Sequence, residues 1–164
     1  MQDSTPPQEQ PPRPKGYASL RRCRVSEAGR VYFLTFVVCD RRPVFLDVPA
    51  ASVMGAALAD DMLAGRNVLH AWVVMPDHVH LLLELSGCET LSVAVARLKS
   101  GSSRRVNALL GKRGTLWTAG FHDHALRTDE SLGRVVEYLL MNPVRAGLVE
   151  RPSEYPFSWS RWGR

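Results

Sequence analysis

With 164 residues, 45% of them hydrophobic, the chain is long enough for one domain with a real core and too short for two. No apolar stretch approaches the roughly 18 residues that cross a bilayer, and the opening MQDSTPPQEQPP has no charged-then-apolar leader, so an intracellular protein is expected. Net charge +5 permits a polyanionic partner without demanding one, while three widely spaced cysteines (Cys23, Cys39 and Cys88) with no C-x-x-C suggest neither a disulfide framework nor a cysteine zinc site and read as reduced thiols.

Residues 1–16 are rich in Pro and Gln with almost nothing apolar to bury, which predicts a flexible tail ahead of a domain spanning 17–164. Val31–Cys39 is a β-branched and aromatic run of strand length that ends in the turn-like 40–43. Pro49 opens a helix whose apolar residues Val53, Met54, Ala57, Leu58, Met62 and Leu63 keep helical spacing up to Gly65. Val68–Met75 and His78–Leu85 are two apolar strands separated by Pro76 and Asp77, the pattern of an antiparallel hairpin. Thr90 is placed to cap a second helix running through Leu91, Val95 and Leu98 to Val106 and Leu110, with Gly101 a point of bending.

The segment 111–120 reads as a loop and 121–127 as a short strand. Thr128 or Asp129 then caps a third helix with Leu132, Val135, Val136, Leu139 and Leu140 at the spacing of a buried stripe. The order β-α-β-β-α-β-α points to an α+β fold, a ferredoxin-like sandwich with a mainly antiparallel sheet and helices packed on a face.

Side chains alternate along a strand, so His78, His80, Leu82 and Glu84 share one side and Val79, Leu81, Leu83 and Leu85 the other. Same-face neighbours lie about 7 Å apart, close enough for two imidazoles to converge on one ion. An arbitrary H-x-H is as often an edge pair as a ligand pair, but the apolar neighbours make this strand central, where two polar side chains need partners. His70 is expected to be a hydrogen-bonded histidine near the core. His122 and His124 form a second H-x-H that nothing in the sequence ties to the first.

At 100° per residue Tyr138 falls on the flank of the third helix's stripe, with Asn142 one turn on. Such a tyrosine is usually structural. Here the helix can set a phenol, an amide and two imidazoles around one cleft, although Pro143 disfavours helical backbone at Asn142. Between Leu91 and His122 there is no acidic residue, but Arg97, Lys99, Arg104, Arg105, Lys112 and Arg113 are present; Arg21, Arg22 and Arg24 belong to an earlier cluster. For any one of these a solvated basic face is an equal reading. Tyr17, Trp117 and Phe121 are candidate base-stacking residues, each more readily explained by packing.

The strings MPDHVHLLLEL (75–85), LWTAGFHDHALR (116–127) and EYLLMNPVRAGLVERPSEYPFSW (137–159) resemble the single-tyrosine HUH transposases, most closely the REP-associated tyrosine transposases of bacteria. The resemblance covers all but the Pro-rich tail. It implies that His78 and His80 are the HUH metal pair, that Asn142 completes the metal site and that Tyr138 is the nucleophile. It further implies Mg²⁺ or Mn²⁺ as cofactor and a folded palindrome, presented as single-stranded or hairpin DNA, as substrate. Cutting leaves a 5′-phosphotyrosine and a free 3′-hydroxyl.

On this resemblance the arginines and lysines named above would hold backbone phosphates. No nucleotide cofactor is expected, since G-x-x-x-x-G-K-[ST] is absent, and no membrane partner. A bacterial cytoplasmic, nucleoid-associated location follows, with a monomer and a homodimer both open. His122 departs from the residues common at its position in the family. Two competitors remain at this level. A histidine-triad hydrolase needs a third alternating histidine where Leu82 stands, and a domesticated transposase would bind structured DNA without cutting it.

Overall fold

The computed structural model describes residues 26–127 and 130–163. The sequence runs β1 (Val31–Val37), α1 (Val48–Leu58), α2 (Asp61–Ala64), β2 (Val68–Met75), β3 (His78–Glu84), α3 (Leu91–Leu109), β4 (His122–Ala125), α4 (Leu132–Leu140), α5 (Asn142–Arg145) and β5 (Ser158–Ser160). The five strands form one antiparallel sheet in the order β4-β1-β3-β2-β5, so β3 with its histidines lies at the centre.

Strand alternation divides the core in two. Tyr32, Leu34, Phe36, Trp72, Val74, Val79, Leu81 and Leu83 project to one face, where α1 and α3 cover them. Phe33, Ala71, Val73, Met75 and Leu82 project to the other, where Val136 and Leu139 of α4 meet them. The expected sandwich is therefore present with helices on both faces rather than one.

The α1 helix begins where Asp47 accepts from the Ala50 N–H at 2.8 Å, with Pro in the first turn. It is shorter than the apolar spacing suggested. Asp60 caps a separate turn, α2, which ends at Gly65 with φ +67°.

Thr90 caps α3 by accepting from Val93 N–H, and the helix passes through Gly101 without a break. A Cβ at Gly101 would come within 2.3 Å of Leu63 Cδ2, so the glycine allows α3 to approach α2. The expected caps Thr128 and Asp129 lie outside the described residues, and Ser131 takes the N-cap position of α4. β5 was not anticipated. It pairs with the outer side of β2, and Tyr155 just before it donates its hydroxyl to the Val74 carbonyl at 2.8 Å.

Candidate active site

The two-residue turn 76–77 joins β2 to β3 and is held by Val38 N–H donating to the Asp77 carbonyl and Phe45 N–H to that of Pro76, both at 2.9 Å. The register pairs His78 with Val37 and His80 with Thr35, so both imidazoles emerge on the face covered by α4, as the strand alternation requires. Their Nε2 atoms stand 3.1 Å apart.

Each ring is oriented through its other nitrogen. His78 Nδ1 lies 2.5 Å from Asp77 Oδ1, and Arg41 donates to the second Asp77 oxygen at 3.1 Å. His80 Nδ1 lies 2.8 Å from Thr35 Oγ1. Burial works to raise the Asp77 pKa, but His78 and Arg41 outweigh it and hold the carboxyl below its ordinary range. An ionised carboxylate only accepts, so the proton of neutral His78 sits on Nδ1 and its lone pair on Nε2.

Burial, reinforced by the nearby His78 and Arg145, pushes the His80 pKa down to about 3. The imidazole is thus neutral at physiological pH, the form that binds a metal. Carboxylate- and hydroxyl-supported imidazoles whose free nitrogens face one another are the donor set of a two-histidine metal site. Among the described residues there is no cluster of three or more His, Cys, Asp or Glu that could enclose an ion.

Tyr138 lies on the outer flank of α4, about half exposed (51%). It reaches the histidines through Phe33, whose ring is 5.2 Å from that of His80 and 6.3 Å from that of Tyr138. The Arg145 guanidinium stacks on the other side of the phenol, 4.4 Å from its centroid, and was not singled out from sequence. Its signal was the heptad step from Tyr138, two helical turns away, which a break after Leu140 obscures.

Asn142 starts α5, with Met141 in helical backbone as the hinge. Pro143 sits at its first turn, so Asn142 joins a new helix instead of extending α4. Its amide nitrogen donates to the Leu139 and Tyr138 carbonyls at 2.9 and 3.3 Å, closing the end of α4 and leaving Oδ1 as the group's acceptor. Tyr138 and the histidine pair thus share the sheet face covered by α4, and Asn142 stands at the end of the helix that carries the tyrosine.

The basic candidates are scattered. Arg97 forks onto both Glu89 oxygens at 2.5 Å and also donates to the Leu63 and Ala64 carbonyls. Lys99 donates to the Thr118 and Gly120 carbonyls, and burial lowers its pKa. Arg105 pairs with Asp60. Arg97 and Lys99 spend most of their donors on the protein's own acceptors and so brace the α3 layer, while Arg105 stays exposed beside Asp60. Arg104 lines a cleft of about 810 Å³ between α3 and the segment 114–121, and Lys112 and Arg113 are exposed. All of α3 lies across the sheet from the histidines. Arg21, Arg22, Arg24 and Tyr17 lie outside the described residues.

Trp117 is core, 3% exposed, with its indole N–H donating to Ser102 Oγ, and Phe121 packs against the same cluster. His70 occupies a bulge in β2, is buried, and lies 2.8 Å from Glu84 Oε2 under the indole of Trp162. That is the core histidine expected. His122 and His124 pair with Thr35 and Phe33, which places both on the same face as His78 and His80.

The family model for IS200-like transposases matches residues 29–141. A Haemophilus influenzae protein assigned as a REP-associated tyrosine transposase is 26% identical over 140 residues, 79% of each chain. A REP-associated tyrosine transposase of Escherichia coli is 31% identical over 91 residues, 55% of this chain and 52% of that one.

The solved structure of a REP-associated tyrosine transposase bound to a REP hairpin superposes with a TM-score of 0.67 at 26% identity, covering 82% of this chain and 79% of that one. A protein assigned as a transposase from Deinococcus radiodurans, 22% identical, shares the fold with a TM-score of 0.51 over 77% of this chain and 95% of its own. With the matched span running from ahead of β1 through Tyr138, the chain belongs to the IS200-like transposase family, the tyrosine transposases.

Proposed function

We propose that this chain is a metal-dependent single-strand DNA endonuclease and strand transferase that acts on hairpin DNA of the REP kind through a 5′-phosphotyrosine. The carrying observation is the aromatic chain His80–Phe33–Tyr138, which sets a phenol on the same sheet face as two opposed imidazole nitrogens. The kinship to a transposase solved with a REP hairpin supports the substrate class.

The metal ligands in this reading are His78 and His80 through Nε2 and Asn142 through Oδ1. A divalent ion held there, Mg²⁺ or the more imidazole-tolerant Mn²⁺, would supply Lewis-acid polarisation of a phosphate oxygen and offset the charge building on it. The chain's own residues do the rest. Tyr138 Oη forms a bond to phosphorus as the bond from phosphorus to the 3′-oxygen breaks, and the phenol proton passes through solvent to that oxygen, leaving a free 3′-hydroxyl. The phosphodiester is conserved in the adduct, so a 3′-hydroxyl reverses the step without a nucleotide cofactor. Phe33 and Arg145 hold the ring edge-on and face-on, fixing the direction of attack.

Phosphate contacts are assigned to the exposed Arg104, Lys112 and Arg113 on the far layer, reached by DNA that passes the sheet edge, and to Arg21, Arg22 and Arg24. One chain carries both the histidine pair and the tyrosine, an arrangement that serves a monomer or a homodimer. No helix among the described residues is long and apolar enough to cross a membrane. Kinship with transposases of bacteria supports a bacterial cytoplasmic, nucleoid-associated location in this reading.

The test is incubation of the protein with single-stranded hairpin DNA and Mg²⁺ or Mn²⁺, followed by denaturing electrophoresis. An SDS-resistant adduct is expected that disappears in Tyr138→Phe while DNA binding persists. An adduct surviving that substitution moves the nucleophile elsewhere; binding without an adduct on any cognate hairpin makes the chain a domesticated binder.

A further inference from the structure

Beside the phenol lies a cleft of about 600 Å³ formed by Phe33, Tyr138, Val135, His124, Glu130 and Arg134, with Ser131 at its rim. It has an aromatic wall, since the Phe33 and Tyr138 rings meet edge-on with His124 paired to Phe33 on the neighbouring strand. It also carries opposite charges at its mouth. Arg134 is exposed and makes no ion pair among the described residues. Glu130 is held in place by two donors, the Arg127 N–H at 2.7 Å on Oε2 and His124 Nε2 at 3.1 to 3.2 Å from both oxygens. Those same bonds hold its carboxyl below the ordinary range.

We infer that this cleft is a subsite for one unpaired nucleobase next to the scissile phosphate, and that it selects adenine or cytosine, the bases that present an amine beside a ring-nitrogen acceptor. The inference rests on the proposed single-strand DNA reading. Aromatic walls stack any base, so they supply affinity without choice. Choice comes from Glu130. A carboxylate has about four acceptor positions. The backbone and His124 occupy those of Oε2 and one of Oε1, which leaves one acceptor direction on Oε1 for a single amine hydrogen.

Adenine N6 and cytosine N4 offer that hydrogen next to an unprotonated ring nitrogen, which the Arg134 guanidinium can donate to. Thymine presents a carbonyl in place of the amine, setting two acceptors against each other. Guanine offers two adjacent donors and needs a free carboxylate fork that His124 already occupies.

The test measures binding without cleavage, in EDTA, by fluorescence anisotropy of the full chain on one hairpin carrying a single-stranded tail of oligo-dA, oligo-dC or oligo-dT. The wild type is expected to bind the dA and dC tails about tenfold more tightly than dT. Glu130→Gln, whose amide donates as well as accepts, should bring dT to within about twofold of the others. Glu130→Ala should remove the preference, and Arg134→Ala should weaken the dA and dC tails toward dT. Equal binding of all three tails by the wild type, or an unchanged preference in Glu130→Gln, overturns the subsite. Because no adduct is read, failure here is separate from failure of the nucleophile: a tail preference can appear in a protein that never forms phosphotyrosine, and the converse.

Discussion

His78 and His80 direct their Nε2 atoms at each other across 3.1 Å, and each ring is pinned from behind, by Asp77 in one case and Thr35 in the other. Without a metal, a proton on one Nε2 bridges the two as a hydrogen bond; in the proposed metal-bound state both nitrogens are free of protons and the ion takes that proton's place. In the proposed metal site the supporting pair therefore tunes the affinity that the two imidazoles provide. Asp77→Asn and Thr35→Val should each weaken Mn²⁺ binding by about 10- to 100-fold, read from free-ion electron paramagnetic resonance or calorimetry. His78→Ala should lose binding altogether. Unchanged affinity in Asp77→Asn would detach the carboxylate from the site.

The Arg145 guanidinium on the Tyr138 ring predicts a kinetic effect with little structural cost. Both residues are exposed, so Arg145→Ala should leave thermal stability within about 0.5 kcal/mol of wild type. Loss of the stacked cation frees the phenol to leave its attacking orientation, slowing single-turnover adduct formation by about three- to tenfold. Arg145→Lys keeps the charge but not the planar contact and should recover part of the rate. DNA affinity measured alongside separates this from a lost phosphate contact, which would weaken binding in Arg145→Ala and restore it fully in Arg145→Lys.

The central hairpin and its histidines were legible because strand alternation is strict: the register puts His78, His80, Leu82 and Glu84 opposite Val37, Thr35, Phe33 and Val31, all on one side. Alternation also carried a fact that was not used. His124 shares that side through its pairing with Phe33, but the pairing of β4 with β1 joins segments some ninety residues apart and has no local signature. β5 was missed because it is three residues long and turns serines, not aliphatics, inward. The basic residues were legible only as charge. Charge in a sequence says nothing of where a long side chain ends, and Arg97, Lys99 and Arg105 end on Glu89, on two backbone carbonyls and on Asp60. Likewise, the Tyr138 to Asn142 step looked like one helix face, whereas the break between them turns the asparagine into a cap.

Gly101 offers a stability test in which two effects oppose each other. Alanine in a helix interior gains about 1 kcal/mol over glycine. Against that, the added Cβ meets Leu63 Cδ2 at 2.3 Å and Cδ1 at 2.9 Å, and Leu63 is itself buried and unable to swing into solvent. Overpacking of this kind costs about 1–3 kcal/mol, so Gly101→Ala should be destabilised by about 1 kcal/mol net in urea unfolding. Combining it with Leu63→Ala should recover more than the single effects add to, because the cavity made by one substitution accommodates the other. Strict additivity would mean that the two helices do not meet at this point.

The pH dependence of folding should carry the signature of Glu89. Its carboxyl, only 16% exposed, accepts both arms of the Arg97 fork and the Asn67 amide, tying the start of β2 to α3. The Arg97 hydrogen bonds come first in holding its pKa below the ordinary 4.5, against a smaller upward push from burial and with Asn67 assisting. A depressed folded-state pKa means that the unfolded chain binds the proton more readily. The stabilisation is complete above the unfolded value and is lost as pH falls below about 4.5 through the folded value. Glu89→Gln should therefore cost about 2 kcal/mol at pH 7, and the gap between variant and wild type should narrow on acidification toward pH 3. A gap constant from pH 7 to 3 would show that Glu89 acts through packing and not through its charge.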